Sequence, residues 1–505
     1  MHAVSHHDRP APKTRQLRDS AIVRDECRTI SNRDRDCDRL TARPSVPKDA
    51  TRRVDTCNNA AFDLTGETVT VVRDGLYDLI PLTRRELALL STPAFLRLDR
   101  IQQLGFVSRI WPGAKHTRYE HSIGVMHLTR QAVAHLARTP EGAGISIEDA
   151  RTVIAAALLH DIGHYPYSHA IEELGYPVRS HEEVGSAIIE QGEIAAILER
   201  EWQVDPERVA ALIHAGSETL PEPDRMLSGL LSGTLDMDKL DYLPRDARAC
   251  SVPYGGVDTV RLLRSLAIAP VAPIGAVEAG QKPRIVVTDK GIGPLHSLIN
   301  ARQEMFDNVY WHHTNRACMV MLLRAVQEAL VAGHITATNL TDHDDASLLA
   351  FMRSPEMPVA TRRLADALAE RRVHKRALEV SARAYELYAR LGNLWFDATA
   401  RRSVELELSQ ALARLIGEPV PDTAILIDIP KPERWKTDVW IAFERPPVGF
   451  QPLMHWRDVA GMADDDFKRY EEHRRLIRIV TEERYRDLVA ANWERLIYPL
   501  LGGAF

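Results

Sequence analysis

An apolar helix that ends in two adjacent polar residues is the feature that most constrains this chain. Residues 153–159 are all apolar, and His160 and Asp161 follow them directly. Gly163 and Pro166 then interrupt any continuing helix, so the polar side chains collect where the backbone turns. The segment therefore predicts a polar, histidine-containing site at the end of a buried helix.

Two further residues make this site a candidate metal centre. His121 lies in the segment RYEHS, and Asp238 lies in the segment DMDKLDY. With His160 and Asp161 they supply two imidazoles and two carboxylates, a set that suits a first-row divalent metal with open positions for water and a phosphate oxygen. Such an ion acidifies water and polarises a phosphoryl group. One histidine at a helix end is usually a core or capping residue. The prediction of a metal site therefore depends on all four residues occurring in this order along the chain.

Composition limits the partners and the compartment. The formal net charge is −6, so no global basic field captures nucleic acid, which we do not expect as the main partner. The five cysteines are scattered without a CxxC pair, which argues against a thiolate zinc site and favours a reducing compartment. No apolar run approaches the ~20 residues of a membrane span, and the N-terminus lacks a signal-peptide core. We therefore expect a cytoplasmic protein without a membrane partner.

The chain is predicted to be mainly α-helical in three parts. Residues 1–62 alternate Arg and Asp with little apolar periodicity, which predicts a disordered tail. Residues 63–335 are predicted to form the helical core, and residues 336–505 a helical extension with a small α+β C-terminal lobe. The longest predicted helices are 181–200, 293–332, 359–416 and 464–497, the predicted C-terminal strands are 424–429 and 438–443, and 270–282 is a predicted loop.

The ordered motifs resemble the HD superfamily, and more narrowly its deoxynucleoside triphosphate triphosphohydrolases, which include bacterial dGTPases and animal sterile-alpha-motif and HD-domain enzymes. The resemblance covers roughly residues 65–320 and is loose in the C-terminal lobe. The matching stretches are Thr92–Leu98, Gln103–Gly105, Pro112–Ala114, then His116, Arg118, Glu120, His121 and Ser122, then His160–His169, Ser180–Glu182 and Asp236–Asp246.

This resemblance implies an HD-domain helical core, a homo-oligomer, and hydrolysis of a deoxynucleoside triphosphate to deoxynucleoside and triphosphate. It also implies roles for individual residues. The divalent metal, whether Mn, Fe, Mg or Zn, would be held by His121, His160, Asp161 and Asp238. The implied catalytic group is His164, Glu172 and His181, where the family often has aspartate in place of Glu172. The implied substrate contacts are Gln103, Leu104, Arg118, His169, Lys239, Tyr242, Asp246, Arg302 and Tyr310.

Within the substrate set, the residues divide by the part of the nucleotide they would meet. Arg118, Lys239 and Arg302 match triphosphate contacts, and guanidinium and ammonium groups suit that charge. Tyr242 matches a residue packed under the deoxyribose, and Gln103 and Asp246 match groups that bond the 3′-hydroxyl. A site built to pair with a hydroxyl rejects analogues that lack it.

Two alternatives and one departure remain. The chain could instead be an HD phosphohydrolase acting on a cyclic nucleotide, a monophosphate or an alarmone, or a non-catalytic nucleotide sensor. The guanine-activated animal enzyme binds its activator through an acidic residue, a glutamine and an arginine. At those three positions this chain has Ser91, Leu96 and Asp99. We therefore do not expect the same guanine activator site. Nucleotide-pool control and phage defence are both compatible with the sequence.

Overall fold

The structure is a computed structural model that describes residues 66–214, 219–271, 281–431, 438–462 and 474–501. The predicted tail, 1–62, lies outside the described residues, as do most of the predicted loop 270–282 and residues 464–473 of the last predicted helix. None of the described helices combines the length and apolar character that a bilayer-spanning segment requires.

Helices dominate the described chain, as predicted. Several begin at a side chain that caps them, such as Asp236, whose carboxylate accepts from the backbone N–H of Lys239. In chain order the α-helices are α1 Arg84–Leu90, α2 Pro93–Leu96, α3 Arg118–Leu136, α4 Ile147–Leu159, α5 His181–Ile189, α6 Gly192–Ile197, α7 Pro206–His214, α8 Asp224–Leu227, α9 Met237–Cys250, α10 Thr259–Arg264, α11 Ile292–Met305, α12 His313–Val331, α13 Asp345–Met352, α14 Val359–Ala369, α15 Tyr385–Asn393, α16 Ala398–Ile416, α17 Trp456–Ala460, α18 Arg486–Ala491 and α19 Trp493–Ile497.

The described strands form one hairpin and two small sheets. The strands are β1 Thr68–Asp74, β2 Asp78–Thr83, β3 Leu266–Val271, β4 Lys282–Thr288, β5 Lys375–Val380, β6 Ile425–Asp428, β7 Trp440–Ala442, β8 Leu453–His455 and β9 Ile477–Thr481. β1 and β2 pair in an antiparallel hairpin. One sheet has the order β3-β4-β7-β8 and the other the order β5-β9-β6. The second sheet, with α15, α16, α18 and α19, builds the α+β lobe.

The helical core is centred on α3, which packs against α4 and α9. The predicted apolar run, Val153–Leu159, is buried throughout because α4 lies inside the core. Both α3 and α9 also carry buried polar residues on the faces turned toward the end of α4. The packing of these three helices therefore brings polar groups together at one interior point.

Several predicted helices are shorter than expected because tertiary packing interrupts them. The predicted helix 293–332 is broken by a π-helical turn at Phe306–Tyr310, where Asn315 donates to the carbonyl oxygen of Tyr310. The predicted helix 181–200 ends at Ile189 and resumes as α6. Helical periodicity continued across both breaks, so the sequence pattern alone did not reveal them.

Strand pairing overrides two other helix predictions. Residues 359–416 contain β5, and the predicted final helix contains β9, which is buried at every residue. β9 pairs with β5 on one side and β6 on the other, so its backbone groups are satisfied by distant partners. The two predicted C-terminal strands both exist, but only β6 joins this sheet. β7 pairs in parallel with β4 instead. The domain division at 335/336 stays a prediction.

A buried ion pair joins α12 to the C-terminal lobe. Arg324 and Glu405 are each 2% exposed, and the guanidinium donates to the carboxylate. Arg324 also donates to Glu328 at 2.7 Å, and Glu405 accepts from the backbone N–H of Ile427 in β6 at 2.8 Å. The pair therefore links the lobe to α12. Because both side chains are shielded from water, water cannot replace either partner of the ion pair.

We predict that Arg324→Met lowers the free energy of unfolding by about 3–5 kcal/mol, because Glu405 would stay buried without the cation that donates to it. Urea titration followed by circular dichroism measures this. Arg353→Met is the control, since Arg353 and Asp366 form an exposed pair that contributes less than about 1 kcal/mol. Equal losses in the two variants would contradict the prediction.

Candidate functional site

Three side chains from separate helices meet at the end of α4. His121 lies in the first turn of α3, His160 directly follows α4, and Asp238 lies in the first turn of α9. Their ligating atoms all lie within 4.8 Å of one another. Nε2 of His121 is 2.9 Å from Oδ1 of Asp238, and Nε2 of His160 is 3.7 Å from that oxygen. This donor set fits a divalent first-row metal.

The ring of His160 is oriented by its own helix. Its Nδ1 lies 2.8 Å from the carbonyl oxygen of Ala157, which only accepts, so Nδ1 is the donor. In the neutral ring, Nε2 is then the unprotonated nitrogen. This atom is buried and has no hydrogen-bond partner among the described residues. A buried lone pair that faces carboxylates is the kind of atom that a metal ion satisfies.

Asp161, the fourth predicted ligand, adjoins this group but is shared with other partners. Its Oδ2 accepts from Arg118 at 2.5 Å and lies 3.8 Å from Nε2 of His121. Its Oδ1 lies 3.4 Å from Nε2 of His160. Burial raises the pKa of Asp161, but Arg118 and the nearby imidazoles bring that pKa well below its usual value. Asp161 is therefore an anion facing both imidazoles through different oxygens.

A second polar cluster lies beside the first and contains the three residues predicted to be catalytic. Oε1 of Glu172 lies 3.0 Å from Nδ1 of His181 and 3.5 Å from Nδ1 of His164. The two imidazoles stack with centroids 3.8 Å apart. The glutamate that stands where the family often has aspartate therefore reaches both rings.

His169 stands at the exposed edge of this cluster. Its side chain is 64% exposed, and its Nδ1 lies 3.7 Å from Oε2 of Glu172. Together with His164, Glu172 and His181 it forms a group whose ligating atoms also lie within 4.8 Å of one another. The second cluster could therefore also hold a cation, and an exposed imidazole at its edge is accessible to a bound anion.

The two stacked histidines differ in their affinity for a proton. Burial lowers the pKa of His164 well below its usual value, and the charges of Arg118 and His181 lower it further. Burial also lowers the pKa of His181, but its hydrogen bond to Glu172 outweighs this and raises the pKa overall. Environments that push apart the pKa values of two adjacent groups separate an acid from a base.

The predicted phosphate contacts lie in two places. Arg118 is buried, and its Nε donates to Ser168 at 3.0 Å while its Nη1 donates to Asp161. Lys239 follows Asp238 in α9, and its Nζ donates to Asp236 at 2.6 Å. Arg118 therefore contacts the metal-ligand group through Asp161, whereas Lys239 is the chain neighbour of Asp238. Arg302 lies on α11, which packs against α9, with its guanidinium 5.3 Å from the ring centroid of Phe306.

The predicted sugar contacts gather farther along α9. Tyr242 and Asp246 lie four and eight residues after Asp238, so the three share one helical face. The hydroxyl of Tyr310 donates to Oδ2 of Asp246 at 2.6 Å. The rings of Tyr242 and Tyr310 meet edge to face with centroids 6.3 Å apart. The π-helical turn that breaks the predicted long helix is what delivers Tyr310 to this place.

Gln103 is linked to the same end of α9 through His116, and Leu104 follows Gln103 in the chain. The backbone N–H of Gln103 donates to the carbonyl oxygen of His116 at 3.0 Å. The imidazole Nε2 of His116 lies 2.7 Å from Oδ1 of Asp246. Oε1 of Gln103 is buried without a hydrogen-bond partner among the described residues. A buried amide oxygen in this position is available to a hydroxyl donor.

Sequence reasoning missed three residues that hold this site in place. Arg97 donates to the carbonyl oxygen of His164 at 2.8 Å. Asp345 accepts from the backbone N–H groups of Tyr167, at 2.6 Å, and Gln102. His116 pairs with Asp246, as described above. Arg97 and His116 lie within the matched motifs, so the signal existed without an assigned role. Asp345 lies outside them and carried no signal.

Two family models match this chain. The family model described as HD domain matches residues 118–246, which hold both histidine-rich clusters together with Tyr242 and Asp246. Residues 118–246 are therefore similar to HD domains. The model described as HD associated region matches residues 257–441. An HD domain is helical, which confirms the predicted fold class.

The sequence of this chain is similar to proteins of several organisms. An uncharacterized protein of Methanocaldococcus jannaschii is 33% identical over 287 residues, which are 57% of this chain and 55% of that protein. The deoxynucleoside triphosphate triphosphohydrolase SAMHD1 of Homo sapiens is 27% identical over 290 residues, which are 52% of this chain and 45% of that protein. The chain therefore spans about half the length of these curated relatives.

One solved structure shares the fold over most of the chain. A hypothetical protein from Aquifex aeolicus superposes with a TM-score of 0.61 and 23% sequence identity. The match covers 84% of this chain and 99% of that one. The two chains therefore share this fold over most of their length.

We predict that Gly163→Ala lowers the free energy of unfolding by about 1–3 kcal/mol, the range for overpacking. A Cβ at Gly163 would lie 2.2 Å from the carbonyl oxygen of His181 and 2.3 Å from the backbone nitrogen of Gly185, and backbone atoms cannot move aside cheaply. Denaturant titration measures the loss. Gly229→Ala is the control, because nothing lies within 4 Å of a Cβ there. A similar stability in both variants would refute the close approach of α5 to this turn.

Proposed function

We propose that this protein hydrolyses deoxynucleoside triphosphates to deoxynucleoside and triphosphate in a metal-dependent reaction. The observation that carries the proposal is the stripe on α9. Asp238, Tyr242 and Asp246 repeat every four residues, about 6 Å apart along the axis. A ligand lying along this face meets a metal-ligand carboxylate first, then an aromatic ring, then a carboxylate held by Tyr310. Phosphate, deoxyribose and 3′-hydroxyl follow one another in the same order in the substrate.

The phosphate end of the site combines the proposed metal ligands with fixed cations. We assign His121, His160, Asp161 and Asp238 as ligands, on the donor geometry described above. A divalent ion there would supply Lewis-acid polarisation of a phosphoryl oxygen and an acidified water. Arg118 and Lys239 would neutralise charge on the triphosphate, with Arg302 contributing from α11. His169, exposed at the edge, would contact the phosphates.

The second cluster supplies the proton transfers in this proposal. His164 would stay neutral and accept a proton from the attacking water, because burial lowers its pKa. His181 would hold a proton because Glu172 raises its pKa, and it would donate that proton to the leaving 5′-oxygen. Glu172 acts here by orienting and charging His181.

The sugar end supports deoxynucleotides over other phosphate esters. One acceptor, Asp246 or the buried Oε1 of Gln103, would take the single hydrogen bond that the 3′-hydroxyl can donate, and Leu104 follows Gln103 in the chain. Tyr242 would pack under the deoxyribose. A relative named deoxynucleoside triphosphate triphosphohydrolase supports the same substrate class. From the family resemblance we also propose a homo-oligomer.

A product panel tests the function. Purified protein is incubated with each dNTP, ATP, GTP, a cyclic nucleotide and a monophosphate, singly and mixed, with Mn²⁺, Mg²⁺ or Fe²⁺, and products are resolved by chromatography. We expect deoxynucleoside and triphosphate, with Asp161→Ala reducing the rate at least about 1000-fold because metal polarisation contributes several kcal/mol. Asp366→Ala, on an exposed pair, is the control.

The other outcomes of the panel separate the alternatives. Cleavage of another ester with intact dNTPs would keep the metal site and refute the substrate. Tight nucleotide binding without turnover under every metal would favour a nucleotide sensor.

A pH profile tests the proton roles. A protonated His181 is present below its raised pKa and lost above it, so we expect kcat/KM to fall on the alkaline side. In Glu172→Gln the carboxylate that raises this pKa is gone, so the alkaline limb should shift to lower pH. His181→Gln should lower kcat by about 10²–10⁴-fold and lose the limb. An alkaline limb that stays in place in both variants would exclude His181 as the acid.

A further inference from the structure

We propose that Asp241 is the positioning residue of the metal centre, and that the β1–β2 hairpin anchors it. Asp241 is 0% exposed and lies on α9 three residues after Asp238. Its Oδ2 lies 2.8 Å from Nδ1 of His121, the ring nitrogen opposite the one that faces Asp238. The inference rests on the proposed metal site and adds to it a residue that would not touch the ion.

The hydrogen bonds fix which atom donates. An ionised carboxylate only accepts, so Nδ1 of His121 carries the proton in this contact. Nε2 of His121 faces Oδ1 of Asp238 at 2.9 Å, which also only accepts, so a bound ion would take the place of the proton at Nε2. Metal-binding imidazoles are commonly held in this way through the nitrogen that does not bind the metal. With an ion at Nε2 the proton would stay on Nδ1, so Asp241 would set both the tautomer and the ring orientation of His121.

Asp241 is itself held by three groups, and its oxygens are fully used. Arg245 donates to Oδ2 through Nε at 2.8 Å and to Oδ1 through Nη2 at 2.9 Å. The hydroxyl of Tyr77 donates to Oδ1 at 2.9 Å. With the bond from His121, each oxygen accepts two donors. Asp241 has no remaining lone pair to offer a metal, which separates its role from that of Asp238.

The hairpin fixes the far side of this network. Tyr77 lies in the turn between β1 and β2, and Asp74 ends β1. Oδ2 of Asp74 accepts from Nη1 of Arg245 at 2.8 Å, and Oδ1 of Asp74 accepts from the backbone N–H of Tyr77 at 3.0 Å. Asp74 and Tyr77 of the hairpin thus hydrogen-bond to the Arg245–Asp241 pair, although the hairpin contributes no proposed metal ligand.

A glycine on α3 provides an independent indication that this pair needs its space. A Cβ on Gly124 would lie 2.0 Å from Oδ1 of Asp241 and 2.5 Å from Nη2 of Arg245. Gly124 lies on α3 three residues after His121. A glycine in a helix interior costs about 1 kcal/mol relative to alanine, and here it makes room for the charged pair beside the proposed ligand.

The test measures metal affinity separately from folding. Metal-stripped full-length protein is titrated with Mn²⁺ by calorimetry, and unfolding is followed in parallel. Asp241→Asn should bind Mn²⁺ about 10–100-fold more weakly than wild type. Asp224→Asn is the matched control. Asp224 is also a buried carboxylate that accepts from Nε of an arginine, Arg208, but among the described residues it has no hydrogen bond to a histidine. It should lose stability without losing affinity.

Tyr77→Phe keeps the ring in the hairpin and removes only the hydroxyl that bonds Asp241. It should weaken Mn²⁺ binding toward the lower end of the same range, and it decides the question if Asp241→Asn fails to fold. If Asp241→Asn folds and binds Mn²⁺ with wild-type affinity, the inference is overturned and the proposed metal site still holds. If Asp241→Asn does not fold, wild-type affinity in Tyr77→Phe has the same meaning. A wild-type protein that binds no Mn²⁺, Mg²⁺ or Fe²⁺ would overturn the proposed site itself.

Discussion

The structure depends on one imidazole held between two carboxylates. His121 sits on α3 with Asp238 at one ring nitrogen and Asp241 at the other, both from α9. A charged carboxylate buried without a partner is very costly, so α3 and α9 have little freedom to slide past each other. The end of α4 then fits against that pair, which brings His160 and Asp161 into place. The candidate site and the helical core are therefore held by the same contacts.

Paired buried charges extend this arrangement outward. Asp161 is balanced by Arg118, Asp241 by Arg245, and Asp428 of the C-terminal lobe by Arg316. Arg316 also binds Glu173, which follows Glu172 of the second cluster. Each pair is shielded from water, so removing one partner leaves the other charge buried and unpaired. Such pairs add less to stability than their Coulomb attraction suggests. Their consequence here is geometric, because each restricts where a functional side chain can lie.

Much of the fold and of the site was predictable from local pattern. The apolar run before His160 and the two C-terminal strands predicted at 424–429 and 438–443 all occur in the structure. The prediction was wrong where long-range pairing decides. β9 is a strand because β5 and β6 flank it, and a π-helical turn ends α11 before Tyr310. Neither cause is visible in the periodicity of a single segment.

The sequence by itself determined which chemistry the chain can carry. The order of His, His-Asp and Asp, with basic and aromatic residues at set spacings, names the candidate groups because side-chain chemistry is local. Only the tertiary structure decided how those groups divide. It places three ligating atoms close to one point. It lowers the pKa of His164 and raises the pKa of His181, although the two rings stack. It also places Asp241 where its carboxylate accepts from His121. Distance, burial and competing partners set these roles, and they exist only once distant segments pack together.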